Sequence, residues 1–459
     1  MAAPTETYID PTAGNDHGGA TFTDGSFANA TNTLTKVGAF PAATCKVGAW
    51  LLLGDNGSGE VTAGYYRVTT RSSDDAVVLH ADIRSGVNDP TDVTCTQHDG
   101  TINLPWKSLQ FALNQTTRDS TNGDRMNVKA GAGDNIGEVL LETLNLTTYG
   151  TPTEAVPLIV QGYTSTAGDG GVGEIDGGGS YGCFAGTESH VHVLDMHIHN
   201  GGAAILINVA AYSTVHNCEV HDTTGIAVNT TTGSRVTGCN IYDGSSIAIM
   251  CAGGALITGN YIANGAVKKF TSVVSMQNIG AVVERNIISI DGTTSGIALA
   301  PDYVSARHNT ILSSNGTGEA IYFSNGAKFN RVVENNYIEG FSGAGGDGID
   351  FDSISENGTI YRNNAFFNNT KPVSAGDESG YVAGELLIEA DNQYLEATAL
   401  AKSGDNTFAN RFIYFAPKAA IQGKAYPDGA NLDIGAVQHA DPAGGGGGPR
   451  VASMNGGLS

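Results

Sequence analysis

Charge is what this sequence has least of. Asp, Glu, Lys and Arg make up 15% of its 459 residues, against about a quarter in an ordinary globular chain. What charge there is leans acidic, 46 Asp and Glu against 23 Lys and Arg, for a net charge of −23. A surface without basic patches cannot release counterions from phosphate. Nucleic acid is therefore excluded as a principal partner, and so is an anionic membrane surface. Long apolar runs are missing as well. No stretch reaches the roughly 18 residues that span a bilayer, so no membrane insertion is expected. The start, MAAPTETYI, has neither a basic n-region nor an apolar h-region, and no Sec signal is expected from it. Cysteine is sparse and unevenly spaced: Cys45, Cys95, Cys183, Cys218, Cys239 and Cys251. That pattern suits neither a disulfide scaffold nor a CxxC metal site, and reads as small buried hydrophobes.

Glycine is abundant instead, 63 of 459 residues, about twice ordinary usage, which implies many turns and few exposed helices. The apolar content, 40%, suffices for a large core. A repeat shows how that core is built. The stretches VHNCEV, VTGCNI, ITGNYI, VERNII, ARHNTI, VENNYI and YRNNAF align Cys218, Cys239, Asn260, Asn286, Asn309, Asn336 and Asn364, with Met196 of LDMHI at the start. Seven intervals cover the 168 residues from Met196 to Asn364, a mean period of 24. Two positions on, an apolar residue always follows: Ile198, Val220, Ile241, Ile262, Ile288, Ile311, Ile338 and Phe366. Alternation at i and i+2 is a strand with one face inward.

A second strand follows in each unit: AILI (204–207), GIAV (225–228), SIAI (246–249), GIAL (296–299), AIYF (320–323) and GIDF (348–351). Units this short cannot bury their own apolar face, so they must stack as the coils of a parallel β-helix. The repeated asparagines then form an inward amide ladder. Two residues before the ladder the sequence reads Glu284, Arg307, Glu334, Arg362. Opposite charges meet on successive coils, a pattern the alignment did not use and which supports its register.

The flanks divide the chain. Residues 1–104 read as an N-terminal strand and a small antiparallel β module, with WLLLGD, YYRVTT and AVVLHA between turn residues. Residues 105–122 open with PWKSLQFALNQ, whose Trp106, Leu109, Ala112 and Leu113 fall at helical spacing, and form the expected N-terminal capping helix. The β-helix runs over 123–440, starting with GDRMNVKAG, PLIVQGY and GEIDGGG as first rungs and ending with ANLDIGAVQH as further irregular coils. Residues 441–459 are a Gly-rich linker and polar tail.

Chemistry-bearing residues are few. The outward row of the second strand is read as Leu206, Ala227, Ala248, Ala298, Tyr322, Asp350, a bland face suited to packing. Its exception is GDGIDFD. Asp350 and Asp352 share a strand face there about 6.7 Å apart at Cα, Asp347 precedes them, and Tyr322 and Glu319 lie one coil away. This cluster reads as a solvated acidic turn, as a cation or glycan site centred on Tyr322, Asp350 and Asp352, or as the carboxylates of a hydrolase. Lys268 and Lys269 could supply a lyase base, with no acidic cluster expected beside them. His199 and His221 stack one coil apart, as two imidazoles for zinc or copper or as an ordinary polar stripe. Cys218 and Cys239 stack likewise, read as a buried thiol pair rather than a disulfide.

TYIDPTAGND, PWKSLQFALN, GDRMNVKAG, PLIVQGYTSTAGDGG, EIDGGG, the stacked coils and LDIGAVQH together resemble the right-handed parallel β-helix proteins of the pectate-lyase-like superfamily. More narrowly they resemble those encoded by tailed phages. The resemblance implies an all-β, right-handed parallel β-helix solenoid that contacts carbohydrate, often as a homotrimeric tailspike, fibre or head-decoration protein. That makes a virion structural protein, assembled in the host cytoplasm, the expected function. Its expected partners are host surface glycans and, through the 442–459 tail, other virion proteins. No cofactor is expected, a structural Ca2+ aside. The alternatives are a polysaccharide-degrading lyase or glycoside hydrolase and a cellular surface-layer protein.

Overall fold

The computed structural model describes residues 5–9, 21–41, 45, 49–55, 60–84, 90–91, 93–95, 109, 112–113, 121, 123–129, 138–139, 146, 151–165, 169, 171–186, 188–202, 205–264, 268–292, 294–300, 302–314, 316–323, 328–351, 356–357, 359–375, 388–403, 415–420, 422 and 434–437. They fall into two compact units, Met1–Asp176 with Gly186–His197, and Gly177–Ala185 with Ile198–Ser459.

In the first unit, strands Thr5–Ile9, Asp124–Lys129, Leu158–Tyr163 and Val191–Leu194 pair in parallel. Their inward residues Met126, Val160 and Val193 are fully buried. Between Ile9 and Asp124 the chain makes a closed antiparallel barrel of Phe22–Ala28, Thr33–Thr35, Ala76–Leu79, Gly64–Ser73, Trp50–Asp55 and Val93–Cys95, filled by Phe27, Leu34, Leu51, Leu53, Val68 and Val77. This is the small β module of the sequence, closed so that it leaves no strand edge bare. Of the segment 105–122, the described residues are Leu109, Ala112, Leu113 and Thr121. The three apolar ones are buried and lie in helical backbone; the other residues of the expected capping helix, Thr121 aside, lie outside the described residues.

The second unit is a parallel β-solenoid with three strands to a coil. One coil runs Arg235–Thr237, Asn240–Tyr242, Ile247–Cys251. The next runs Leu256–Thr258, Tyr261–Ala263, Ser272–Met276, each strand pairing with its equivalent. Inward residues stack in files: Val215, Val236, Ile257, Val283 on the first sheet; Val220, Ile241, Ile262, Ile288, Ile311, Ile338 on the second; Val228, Ile249, Val274, Ile297, Ile321, Ile349 on the third. All of these are fully buried. The second file is the one the alignment named.

The corner between first and second strands explains the ladder. Its leading residue is left-handed in every coil from Asn217 on, through Gly238, Gly259, Arg285, His308 and Asn335 to Asn363. That turns the chain sharply and leaves the next residue's backbone N–H pointing along the stack. The amide of the following coil answers it. Asn260 N–H donates to Asn286 Oδ1 (3.0 Å), Asn286 N–H to Asn309 Oδ1 (3.0 Å), Asn309 N–H to Asn336 Oδ1 (3.0 Å), and Asn336 N–H to Asn364 Oδ1 (3.0 Å). The ladder runs one rung past the alignment, to Asn392, and backward to the Cys239 N–H. Cys218 and Cys239 are the smaller members at its start, buried thiols without a disulfide. The charge row pairs as read, with Glu334 between Arg307 (3.3 Å) and Arg362 (3.0 Å).

The C-terminal segment departs from expectation. Ile434, Ala436 and Val437 are not a further coil. With Ala399, Leu400 and Phe415 they lie over the outer row of the second sheet, Tyr261, Ile287, Leu312, Tyr337 and Ala365. The Gly435 N–H donates to Asn335 O (2.9 Å) and the Ala436 N–H to Thr310 Oγ1 (2.9 Å). An outer row that is apolar must be covered, and a chain end is free to cover it. The 441–459 tail lies outside the described residues.

Candidate functional site

Third-sheet strands have five residues in the order half-exposed, buried, buried, half-exposed, buried, as in Ile226–Thr230 and Ser295–Leu299. Two outward rows result. One carries Asn208, Asn229, Met250, Ser275, Ala298, Tyr322, Asp350 and Ser374. The other ends in Glu319, Asp347 and Lys371, with Ser295 joined to it through its Oγ donating to Glu319 Oε2 (2.7 Å).

This corrects the bland face. Leu206, Ala227 and Ala248 are buried, while Ala298, Tyr322 and Asp350 do face outward as read. Aligning GIAV with GIAL by their glycines slips the strands two residues apart, because Val228 stacks above Ile249, Val274 and Ile297, not above Leu299. The slip puts buried Ala227 in line with outward Ala298, because the five-residue pattern is not a strict alternation. It also hid a strand, Ser272–Met276, which the second-strand series does not include. In the correct register one outward row begins with an amide pair in which Asn229 Nδ2 donates to Asn208 Oδ1 (2.8 Å), while the other begins with half-exposed Ile205, Ile226 and Ile247 and turns polar from Ser272 on.

Asp347 is the most distinctive residue of the face. It is 8% exposed and its Oδ1 has no hydrogen-bond partner. Burial pushes its carboxyl above the ordinary range. Lys371 and the Ser374 hydroxyl pull it back, and Glu319 one coil away pushes it up again. Asp350 stands farther along the same strand, and Tyr322 lies next to Asp350 in the adjacent coil, at the strand spacing of about 4.8 Å. Asp352, the third carboxylate of the sequence cluster, lies outside the described residues. Lys371 supplies a cation the sequence cluster did not include.

A carboxyl raised in the fold binds its proton more tightly there than in the unfolded chain. Stability therefore falls as pH rises from the unfolded value through the raised one, and the full penalty is present at neutral pH. Asp347→Asn is expected to raise the melting temperature at pH 7 by roughly 1–2 °C and to leave it unchanged below about pH 3.5, where both forms are neutral. Thermal melts of the two proteins at both pH values test this. An equal melting temperature at pH 7 would count against the raised carboxyl.

The histidines read from the sequence also meet. The His199 and His221 rings are parallel within 7° at 5.2 Å, and Tyr242 continues the stack at 4.7 Å. His221 Nδ1 lies 2.8 Å from Asp222 Oδ2, and Lys268 Nζ lies 3.5 Å from the other oxygen. Lys269 pairs with Asp291 at 2.9 Å. Each lysine thus has one aspartate partner, and the two aspartates belong to different coils. Tyr242 OH donates to Glu219 Oε1 (2.7 Å), which with burial raises the phenol. Sequence reasoning found His199 and His221 from the repeat register. It missed Glu219, Asp222 and Tyr242, of which Glu219 and Tyr242 stand in the same strands and were legible from that same register.

These coils define the protein as a parallel β-solenoid. Residues 174–338 match the family model described as "Right handed beta helix region". No curated protein matches the sequence. Among solved structures the chain is similar to a mannuronic-acid-specific family 6 polysaccharide lyase from human gut microbiota, with 13% identity over 63% of this chain and 81% of that one and a TM-score of 0.41. It is also similar to pectate lyase Pel9A, with 11% identity, 74% and 93% coverage and a TM-score of 0.41. The catalytic domain of a GH87 α-1,3-glucanase follows, with 11% identity, 80% and 89% coverage and a TM-score of 0.26. Identities this low transfer no residue roles, since a shared fold does not carry a shared activity.

Proposed function

We propose that this protein is a carbohydrate-binding β-solenoid that displays its third-sheet face to host glycans, as a tailspike, fibre or head-decoration protein of a tailed-phage virion. The observation that carries glycan binding is the polar outward face ending in Tyr322, Asp350 and Ser374 beside Glu319, Asp347 and Lys371. Rigid strands hold these groups at a constant spacing of about 4.8 Å, which suits a linear chain of hydroxyl-bearing rings. Tyr322 offers a ring for apolar sugar faces, and the carboxylates accept from hydroxyls. The overall acidity favours neutral or amino sugars over polyuronates. Assembly as a homotrimer and attachment through the 442–459 tail belong to the same reading and rest on the sequence resemblance.

A glycan array probed with the full chain tests the binding. Tyr322→Ala and Asp350→Ala are each expected to weaken the best ligand at least tenfold at unchanged melting temperature. Unchanged binding in both would remove this face as the site. Mass spectrometry of virions and light scattering of the purified protein test the assembly.

Asp347 favours a second reading. A buried carboxyl with a raised pKa, with the Glu319 side chain one coil away, is the kind of acid pair from which general acid catalysis is built. New reducing ends or unsaturated ends in a bound polysaccharide, abolished in Asp347→Asn, would make the protein an enzyme.

A further inference from the structure

A cleft of about 320 Å3 opens on the outer side of the second sheet, where Lys402 and the strand ends at Asp291 and Ser314 form its lining. We propose that this cleft binds a neutral saccharide unit, as a second carbohydrate site separate from the third-sheet face. Its volume lies at the small end of the 300–1,000 Å3 typical of small-molecule sites, which limits the ligand to about one or two sugar rings.

The fold fixes the walls. Ser289 and Leu312, both in the lining, are register partners on adjacent strands, and Leu312 pairs on its other side with Glu339. Glu339 holds the Lys402 ammonium, so this row ends at an anchored cation. Asp291 stands on the opposite side. Asn264 positions it, donating through Nδ2 to Asp291 Oδ1 (3.3 Å) and Thr294 Oγ1 (3.0 Å) while its own Oδ1 accepts from the Phe270 N–H (2.9 Å).

The lining both donates and accepts. Lys402 has three N–H donors, of which one goes to Glu339 Oε1. Asp291 Oδ1 accepts from Asn264 and Oδ2 from Lys269 Nζ (2.9 Å), and each oxygen keeps a second lone pair. The Ser313 hydroxyl has no hydrogen-bond partner among the described residues, so it can rotate to a ligand without giving up a bond. A sugar hydroxyl donates and accepts at once, which matches this mixture.

Charge selects the class of sugar. Lys402 is neutralised by Glu339 and Asp291 by Lys269. A charged ligand has to compete with one of these pairs, whereas neutral hydroxyls use only the donors and lone pairs that the pairs leave over. The net charge of −23 further disfavours an anionic sugar. None of these residues belongs to the third-sheet face, so the two sites can fail separately.

Calorimetric titration of the full chain and of Tyr322→Ala with neutral mono- and disaccharides tests the proposal. Tyr322→Ala is expected to keep one saccharide site per chain. On that background Lys402→Met should weaken binding at least tenfold, and so should Ser314→Trp, which replaces an exposed lining residue with one large enough to fill the cleft. Galacturonate should bind at least tenfold more weakly than galactose. A second measurement needs no variant to fold: saturating saccharide should slow acylation of Lys402 at least threefold, read by peptide mass spectrometry, and leave Lys36 unchanged. Lys36 lies outside the solenoid and is similarly exposed, 29% against 34%. Absence of neutral-saccharide binding in Tyr322→Ala, binding that survives both cleft variants, tighter binding of galacturonate, or unchanged acylation of Lys402 would overturn the site.

Discussion

Asn309→Leu is expected to destabilise the solenoid by about 4 kcal/mol, read as a lowered denaturation midpoint at constant slope. The Asn309 side chain accepts from the Asn286 N–H (3.0 Å) and from Asn286 Nδ2 (3.1 Å). It donates to Val283 O (2.9 Å) and to Asn336 Oδ1 (3.0 Å). Leucine fills the space but takes away the acceptor of the buried Asn286 N–H and a donor to the Val283 carbonyl. Each such loss in a buried site costs about 1–3 kcal/mol. Asn286→Leu should behave alike, since Asn286 bonds the Asn260 N–H and Ile257 O in the same way. Any variant that remains folded should keep its glycan preference, because the ladder is interior. A loss below 1 kcal/mol would mean that the coils do not depend on the ladder.

Removing residues 434–459 should be comparably severe and visibly different. Ile434, Ala436 and Val437 are almost completely buried against Tyr261, Ile287, Leu312 and Tyr337. Their loss forfeits on the order of 4–6 kcal/mol of apolar burial and two backbone hydrogen bonds, and it bares an apolar row that invites association. The truncated chain should bind a hydrophobic dye, melt earlier and aggregate, whereas Asn309→Leu should only melt earlier. Gly435→Ala is the milder form of the same test. Gly435 has φ +104, and an added Cβ would meet Thr310 Oγ1 at 2.8 Å. An unchanged melting temperature after truncation would show that the cover contributes nothing to stability.

The strap also rests on buried polar contacts. Glu339, 5% exposed, accepts from Tyr337 OH (2.6 Å) and Thr398 Oγ1 (2.9 Å) and pairs with Lys402. These bonds tie residues 398–402 to the second sheet ahead of the terminal cover. Burial, with Glu339 next to it, raises the Tyr337 phenol, so it stays a neutral donor throughout the working pH range.

The second strand of each coil was legible residue by residue. From Val220 to Phe366 the aligned apolar positions are register partners, because a conserved corner of fixed length precedes each. The third strand was legible only as a motif. Loops of different length precede it, so nothing local fixes whether Ala227 or Asn229 stacks with Ala298, and the polar face was read as bland. The acidic cluster was found at Asp347 and Asp350 but without Lys371, which the cluster's own sequence window does not reach.

The sequence by itself determined that this chain stacks β coils, where the amide ladder runs, and which charges and histidines meet on adjacent coils. All of these repeat at one period, and a repeat must superimpose on itself to bury its apolar face. Only the tertiary structure decided what lies on the outside. The polarity of the third-sheet face depends on register across loops of unequal length. The cover of the second sheet comes from residues that carry no repeat. Lys268 pairs with Asp222 and Lys269 with Asp291 across different coils. These contacts join segments far apart in sequence, and no local pattern encodes them.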